Sequence, residues 1–89
     1  MNTFRLIISS PDGAVFDGEA VMLTVRGVEG ELAVMAGHAP LVTSVKPCRC
    51  KIELADEQDE KYGELGGGLL SVTREAVTLL TGSFHWSEK

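Results

Sequence analysis

A chain of 89 residues is enough for one small domain, which buries only about 60–65% of the surface its unfolded form would expose. With 44% hydrophobic and 24% charged residues, ten Gly and three Pro, it is excluded from the disordered, collagen-like and disulfide-dense classes. The net charge of −5 sits in one place: residues 53–64 hold six acids (Glu53, Asp56, Glu57, Asp59, Glu60, Glu64) against Lys61, and the other acids and bases cancel. No basic cluster remains to displace counterions from phosphates, which excludes a free-standing basic nucleic-acid binder.

From the first residue on, apolar and polar side chains alternate with the period of half-buried strands. Phe4, Leu6 and Ile8 share a face, as do Val21, Leu23 and Val25, and later Cys48, Cys50, Ile52 and Leu54. Turn residues separate the runs at Pro11-Asp12-Gly13, at Gly27-Val28-Glu29-Gly30, at Ala36-Gly37-His38-Ala39-Pro40 and at Gly66-Gly67-Gly68. The pattern predicts strands over 3–9, 14–17, 20–26, 32–35, 41–46, 48–54, 60–65, 69–73 and 76–81. The fold class expected is all-β: a two-sheet β-sandwich or flattened barrel of about nine to ten short strands. The segment Glu53 to Glu64 lacks an apolar stripe at helical spacing and is read as a hairpin whose solvated tip, Ala55 to Glu60, carries the acids. The longest apolar run near the start, Leu6-Ile7-Ile8, is too short for a signal-peptide core or a membrane span, so the domain is expected to be soluble and unprocessed.

Chemistry is sparse. Cys48 and Cys50 could offer two thiolates to a metal completed by His38 or His85, but residues i and i+2 on a strand lack the turn geometry of structural zinc sites. Small buried thiols account for the pair, in a reducing compartment. His38 with Ser9, Ser10, Ser44 or Ser71 has no nucleophile elbow and no orienting third group. Gly66-Gly67-Gly68 precedes a strand-like run, not the helix a phosphate loop needs, and marks a bulge or a close backbone approach. Glu29 and Glu31 flank Gly30 and allow a glycosidase-like pair, simple solvation or docking onto a partner's arginines, with solvation favoured by composition. No catalytic, metal or cofactor site is assigned.

The stretch Gly27-Val28-Glu29-Gly30-Glu31-Leu32-Ala33-Val34-Met35-Ala36-Gly37-His38-Ala39-Pro40-Leu41-Val42-Thr43, continued to Pro47, resembles the signature of the epsilon subunit of F-type ATP synthase, G-x-E-G-E-x-G-V-x-P-G-H-A-P-L-x-T-x-x-x-P-G. Ser10 to Gly18 resembles that family's first turn and Leu65 to Val72 its late glycine-rich strand, so the likeness runs from about residue 3 to residue 81. Ala36, Ala33 and Cys48 stand where the family usually has proline, glycine and glycine. The resemblance implies a non-catalytic rotor subunit without cofactors, linking the gamma subunit to the membrane c ring and coupling ion translocation to ATP synthesis, peripheral to the cytoplasmic face of a bacterial plasma membrane. It implies c-ring contact by Glu29 and Glu31, which raises docking above solvation, and gamma contact by Ser10, His38 and Thr43. Residues 1–82 are expected to form the sandwich and 83–89 a C-terminal tail. The helical hairpin that epsilon subunits typically carry next is not matched, and natural shortness is expected. The competing readings are a stand-alone β-sandwich binding module and a metal or thiol enzyme.

Overall fold

The structure, a computed structural model, describes residues 2–55 and 59–88. The alternation becomes seven strands: β1 (Phe4–Ser10), β2 (Gly13–Gly27), β3 (Gly30–Met35), β4 (Leu41–Leu54), β5 (Glu60–Val72), β6 (Val77–Thr81) and β7 (Phe84–Ser87). Neighbours run antiparallel except β1 and β6, which are parallel.

Three strands are too long for one layer and serve both. One layer is β3, the C-terminal half of β2, the C-terminal half of β4, the N-terminal half of β5, and β7. The other is the N-terminal half of β2, then β1, β6, the C-terminal half of β5, and the N-terminal half of β4. Seven strands, three of them shared, thus give five segments to each layer. Because β1 pairs with both β2 and β6, the sheet closes on itself, and the fold is the flattened, sandwich-like barrel the alternation predicts.

The strand list differs in a systematic way. The expected strands 14–17 and 20–26 are one, as are 41–46 and 48–54, and 60–65 and 69–73. Gly18, Pro47 and Gly66–Gly68 fall at the gaps between those expected strands, yet each lies within a continuous strand. Residues 84–87, expected in a tail, pair with β5. The expected hairpin forms, with Glu53 opposite Glu60; residues 56–58 of its acidic tip lie outside the described residues.

The inward rows fill the space between the layers. Leu6, Ile8, Leu23, Val34, Cys50, Ile52, Leu70 and Leu79 are fully buried, with Val25, Val72 and Val77 nearly so. Val21 leaves its expected face because the β2–β4 register shifts between Ala20 and Met22, where a bulge turns β2 from one layer to the other. Pro47, with no N–H to donate, falls where the same ladder is interrupted between Thr24 and Gly27.

The glycine triplet makes the bend of β5, as the bulge reading predicts. Gly67 has φ +98, a conformation that a side chain disfavours. A Cβ on Gly68 would collide with the carbonyl of Leu80. The buried hydroxyl of Thr81 donates to the Gly67 carbonyl at 2.6 Å, tying the bend to the end of β6. Gly68→Ala is therefore expected to lower the unfolding free energy by roughly 1–3 kcal/mol. Gly82→Ala, where a Cβ meets nothing within 4 Å, should stay within about 0.5 kcal/mol of the parent in the same urea titration.

Candidate functional site

A sandwich of this kind has two lateral seams, where edge segments of the two layers face each other. Between β7 and the N-terminal half of β2 the seam is closed by aromatic rings. Trp86 meets Phe84 edge to face at 4.9 Å and Phe16 at 6.2 Å. Between β3 and the N-terminal half of β4 the seam stays open as a groove of about 410 Å3, lined by residues 27–32 and 41–43.

The expected docking residues distribute around this framework. Glu29 lies in the two-residue turn between β2 and β3, and Glu31 is the second residue of β3, after Gly30 at φ +124. Both are exposed on the groove rim. Thr43 lines the same groove from β4, in the register row of Leu70, Leu79 and Ile8, so it points inward at the groove's edge.

Ser10 and His38 lie elsewhere. Ser10 ends β1 and accepts the Asp12 N–H at 3.3 Å. The His38 ring donates through Nδ1 to the Ala39 carbonyl at 2.7 Å, in a loop beside Phe4 at the start of β1. The seven residues of β1 hold these two sites roughly 20 Å apart. The structure thus brings Glu29, Glu31 and Thr43 together and sets Ser10 and His38 at opposite ends of one layer.

The outer faces of the layers differ in chemistry. On the β3-containing layer Arg26 stands opposite Glu31, Lys51 lies 3.5 Å from Glu53 and 3.9 Å from Glu60, and Arg49 stacks over Tyr62 at 4.5 Å. On the other layer one row runs Val42, Ser71, Thr78, Ile7 and the next Ser44, Leu69, Leu80, Ser9. Those eight side chains carry no charge. Val42 is 67% exposed, Leu80 50% and Leu69 43%, and beyond Ile7 the patch ends at the Arg5–Asp17 ion pair.

Sequence reasoning missed this patch, and the missed signal is plain. Ile7-Ile8, Leu41-Val42, Leu69-Leu70 and Leu79-Leu80 are apolar doublets, and a half-buried strand needs only one apolar residue of two. Ile8, Leu70 and Leu79 go fully inward. Their doublet partners Ile7, Leu69 and Leu80, with Val42, fall on the outer rows.

The cysteines do what packing requires. Cys48 and Cys50 are free thiols in the inward rows of Leu65 and Gly63, and the Arg26 N–H donates to the Cys48 sulfur at 3.5 Å. Burial pushes the Cys50 thiol from 9.0 up to about 11, opposite to the depression that a metal ligand or nucleophile needs. Among the described residues no group of three or more His, Cys, Asp or Glu is placed to hold a metal ion.

With fold and surfaces in place, comparison with known proteins defines the class. Residues 3–87 match the sequence profile of the ATP synthase delta/epsilon chain β-sandwich domain, and the chain belongs to that family. Among relatives, the sodium ion specific ATP synthase epsilon chain of Acetobacterium woodii is 39% identical over 87 residues, covering 98% of this chain and 65% of that one. The ATP synthase epsilon chain of Herminiimonas arsenicoxydans is 33% identical over 79 residues, covering 89% and 56%. The chain therefore spans somewhat over half the length of these relatives. Two solved structures share the fold. A chain of the Euglena gracilis mitochondrial ATP synthase (OSCP/F1/c-ring) superposes with TM-score 0.88 at 22% identity, covering 94% of this chain and 53% of that one. A chain of the Tetrahymena thermophila mitochondrial ATP synthase central stalk and c-ring gives 0.74 at 15%, covering 94% and 66%.

The opposed phases of the doublets give a direct test. Leu79→Ala should cost about 2–5 kcal/mol, whereas Leu80→Ala, one residue on, should stay within about 0.5 kcal/mol in the same denaturant titration. Cys50 supplies a second. The unfolded chain releases this proton near 9.0 while the folded chain holds it to about 11, so its contribution is intact below pH 9 and is lost as pH rises towards 11. Urea midpoints should fall less steeply across that window in Cys50→Val than in the parent.

Proposed function

We propose that this chain is the β-sandwich of an ATP synthase epsilon subunit and works, without catalysing a reaction itself, as the rigid adapter between the gamma subunit and the c ring. In that role it couples ion translocation to ATP synthesis from the cytoplasmic face of a bacterial plasma membrane. Family membership supports the assignment. The observation that carries the mechanism is the uncharged patch built by Ile7, Val42, Leu69 and Leu80, bordered by the Arg5–Asp17 ion pair, on a domain whose opposite face is richer in charge. Ser10, His38 and Thr43 stand around the perimeter of that layer, at the two ends of β1 and along the β4 edge.

Gamma docks on this face with an apolar centre and a polar rim, as in permanent interfaces. Glu29 and Glu31, on the rim of the open seam, meet the c ring through charge-assisted hydrogen bonds to its basic loops. Shared strands suit an adapter. Torque entering through one layer passes along β2, β4 and β5 into the other without crossing a flexible joint, and a close-packed core resists the shear.

In binding assays with purified gamma, Val42→Asp and Leu80→Asp should each weaken association roughly ten- to hundredfold without changing the circular dichroism of the domain. Glu31→Lys should leave gamma binding intact and weaken capture by detergent-solubilised c ring. Undiminished gamma binding by both aspartate variants would overturn the docking face, and no gamma binding by the parent would favour a stand-alone binding module.

A further inference from the structure

β3 and β7 each pair on one side, β3 with β2 and β7 with β5, and their free sides differ. That of β7 faces the seam closed by Phe16 and Trp86. That of β3 faces the open groove with its main chain bare. The two-residue turn closes on the hydrogen-bonded pair Gly27–Gly30, and in an antiparallel ladder bonded pairs alternate with unbonded ones. Leu32 with Val25 and Val34 with Leu23 are therefore bonded pairs, and Glu31, Ala33 and Met35 turn their N–H and C=O groups away from β2. The Met35 carbonyl agrees with this phase, since it accepts the His38 N–H at 3.1 Å from the loop that follows β3. Among the described residues the main-chain groups of Glu31 and Ala33 on that side have no partner.

Nothing in β3 blunts this edge. Its ladder with β2 has no bulge, and Gly30-Glu31-Leu32-Ala33-Val34-Met35 contains no Pro and no Lys, residues that protect edges from pairing. Its one charge, Glu31, stands opposite Arg26 across the β2 ladder. Ala33, in the middle of the outward row, is small and exposed, so a second strand can reach hydrogen-bonding distance. Val28, 52% exposed, and Met35, 54% exposed, flank the strand, and Leu32, Leu41 and Val42 line the groove beside it. A strand arriving here covers apolar surface as well as main chain.

We propose that β3 is a self-pairing edge: two copies of this chain join antiparallel through β3, with Ala33 of each copy facing Ala33 of the other across a two-fold axis. In that register Glu31 of each copy falls opposite Met35 of the other, and Leu32 opposite Val34. No two like charges meet, and the two Glu31 residues stand roughly 14 Å apart along the strands. The facing alanines exchange both main-chain hydrogen bonds, and each Met35 N–H donates to the Glu31 carbonyl opposite. Within one copy the Met35 row continues through Met22 to Glu53 and Glu60. The two-fold axis therefore sends the acidic ends of the two copies to opposite ends of the joined sheet. Because Glu31 lies inside the pairing, a paired copy cannot also present that residue to a c ring; the pairing itself stands whether or not the c-ring reading does.

Sedimentation equilibrium of the purified whole chain tests the pairing. The apparent mass should rise from 9.5 kDa towards twice that value between about 1 µM and 1 mM, since an edge of residues 31–35 makes a small, weak interface. Over the same range the Ala33 amide should gain roughly tenfold protection from hydrogen exchange, and the amides of β7 none. Ala33→Lys sets two ammonium groups face to face on the axis and should weaken association about fivefold or more, with circular dichroism unchanged. Leu80→Asp, on the outer patch, should associate as the parent does. A mass that stays at 9.5 kDa throughout would overturn the proposal, as would association that Ala33→Lys leaves undiminished or that Leu80→Asp abolishes.

Discussion

The backbone bend of β4 and β5 is the constraint on which the remaining structure depends. These strands, with β2, exceed the width of one layer and must turn from the first sheet into the second while keeping their partners. At the turn the Val45–Gly68 and Pro47–Gly66 pairs bracket Gly67, and the chain passes so close to Leu80 that no side chain fits at Gly68. Once the turn is made, one half of β5 lies beside β6 and the other beside β7. Two flat sheets with four open edges become one closed surface, and a small core can exclude water from both sides.

That closure fixes which residues face outward together. Strands adjacent in one layer bring the outward members of four apolar doublets into two neighbouring rows. In the other layer, the outward side chains of β2 to β5 include several opposite charges close together, as at Lys51 with Glu53 and Glu60. Exposed pairs of this kind add little stability, but they keep that face wet. The domain thus has one face rich in charge and one that bears an uncharged patch, on opposite sides of a single core.

Alternation in the sequence was sufficient for the fold class, the in-and-out phase of most strands and the β4–β5 hairpin, because period two is set by the pleat itself. It could not show that strands run through Gly18, Pro47 and Gly66–Gly68. A residue that ends a strand by propensity also permits a bend inside one, and only tertiary pairing decides between them. β7 was missed because four residues, two half-buried and two exposed, leave almost no periodic trace. Of the residues proposed for docking, Glu29 and Glu31 stand out in the sequence through a local motif and lie on one groove rim. The outer patch is non-local, and its signal lay in what a strand did not need: a second apolar residue beside each core position.

The parallel pairing of β1 with β6 bears on how the molecule comes into being. Residues 6–9 must meet residues 77–80 before the barrel closes, so β1 is completed by a strand far along the chain. A ribosome emitting this chain holds β1 and β2 as a hairpin with one unfilled edge until β6 has emerged. Closure is therefore a late event of high contact order, and until it happens Leu6 and Ile8 depend on other cover. Time spent with that edge open, more than any weakness of the finished core, is where such a chain is most exposed to wrong pairing during synthesis.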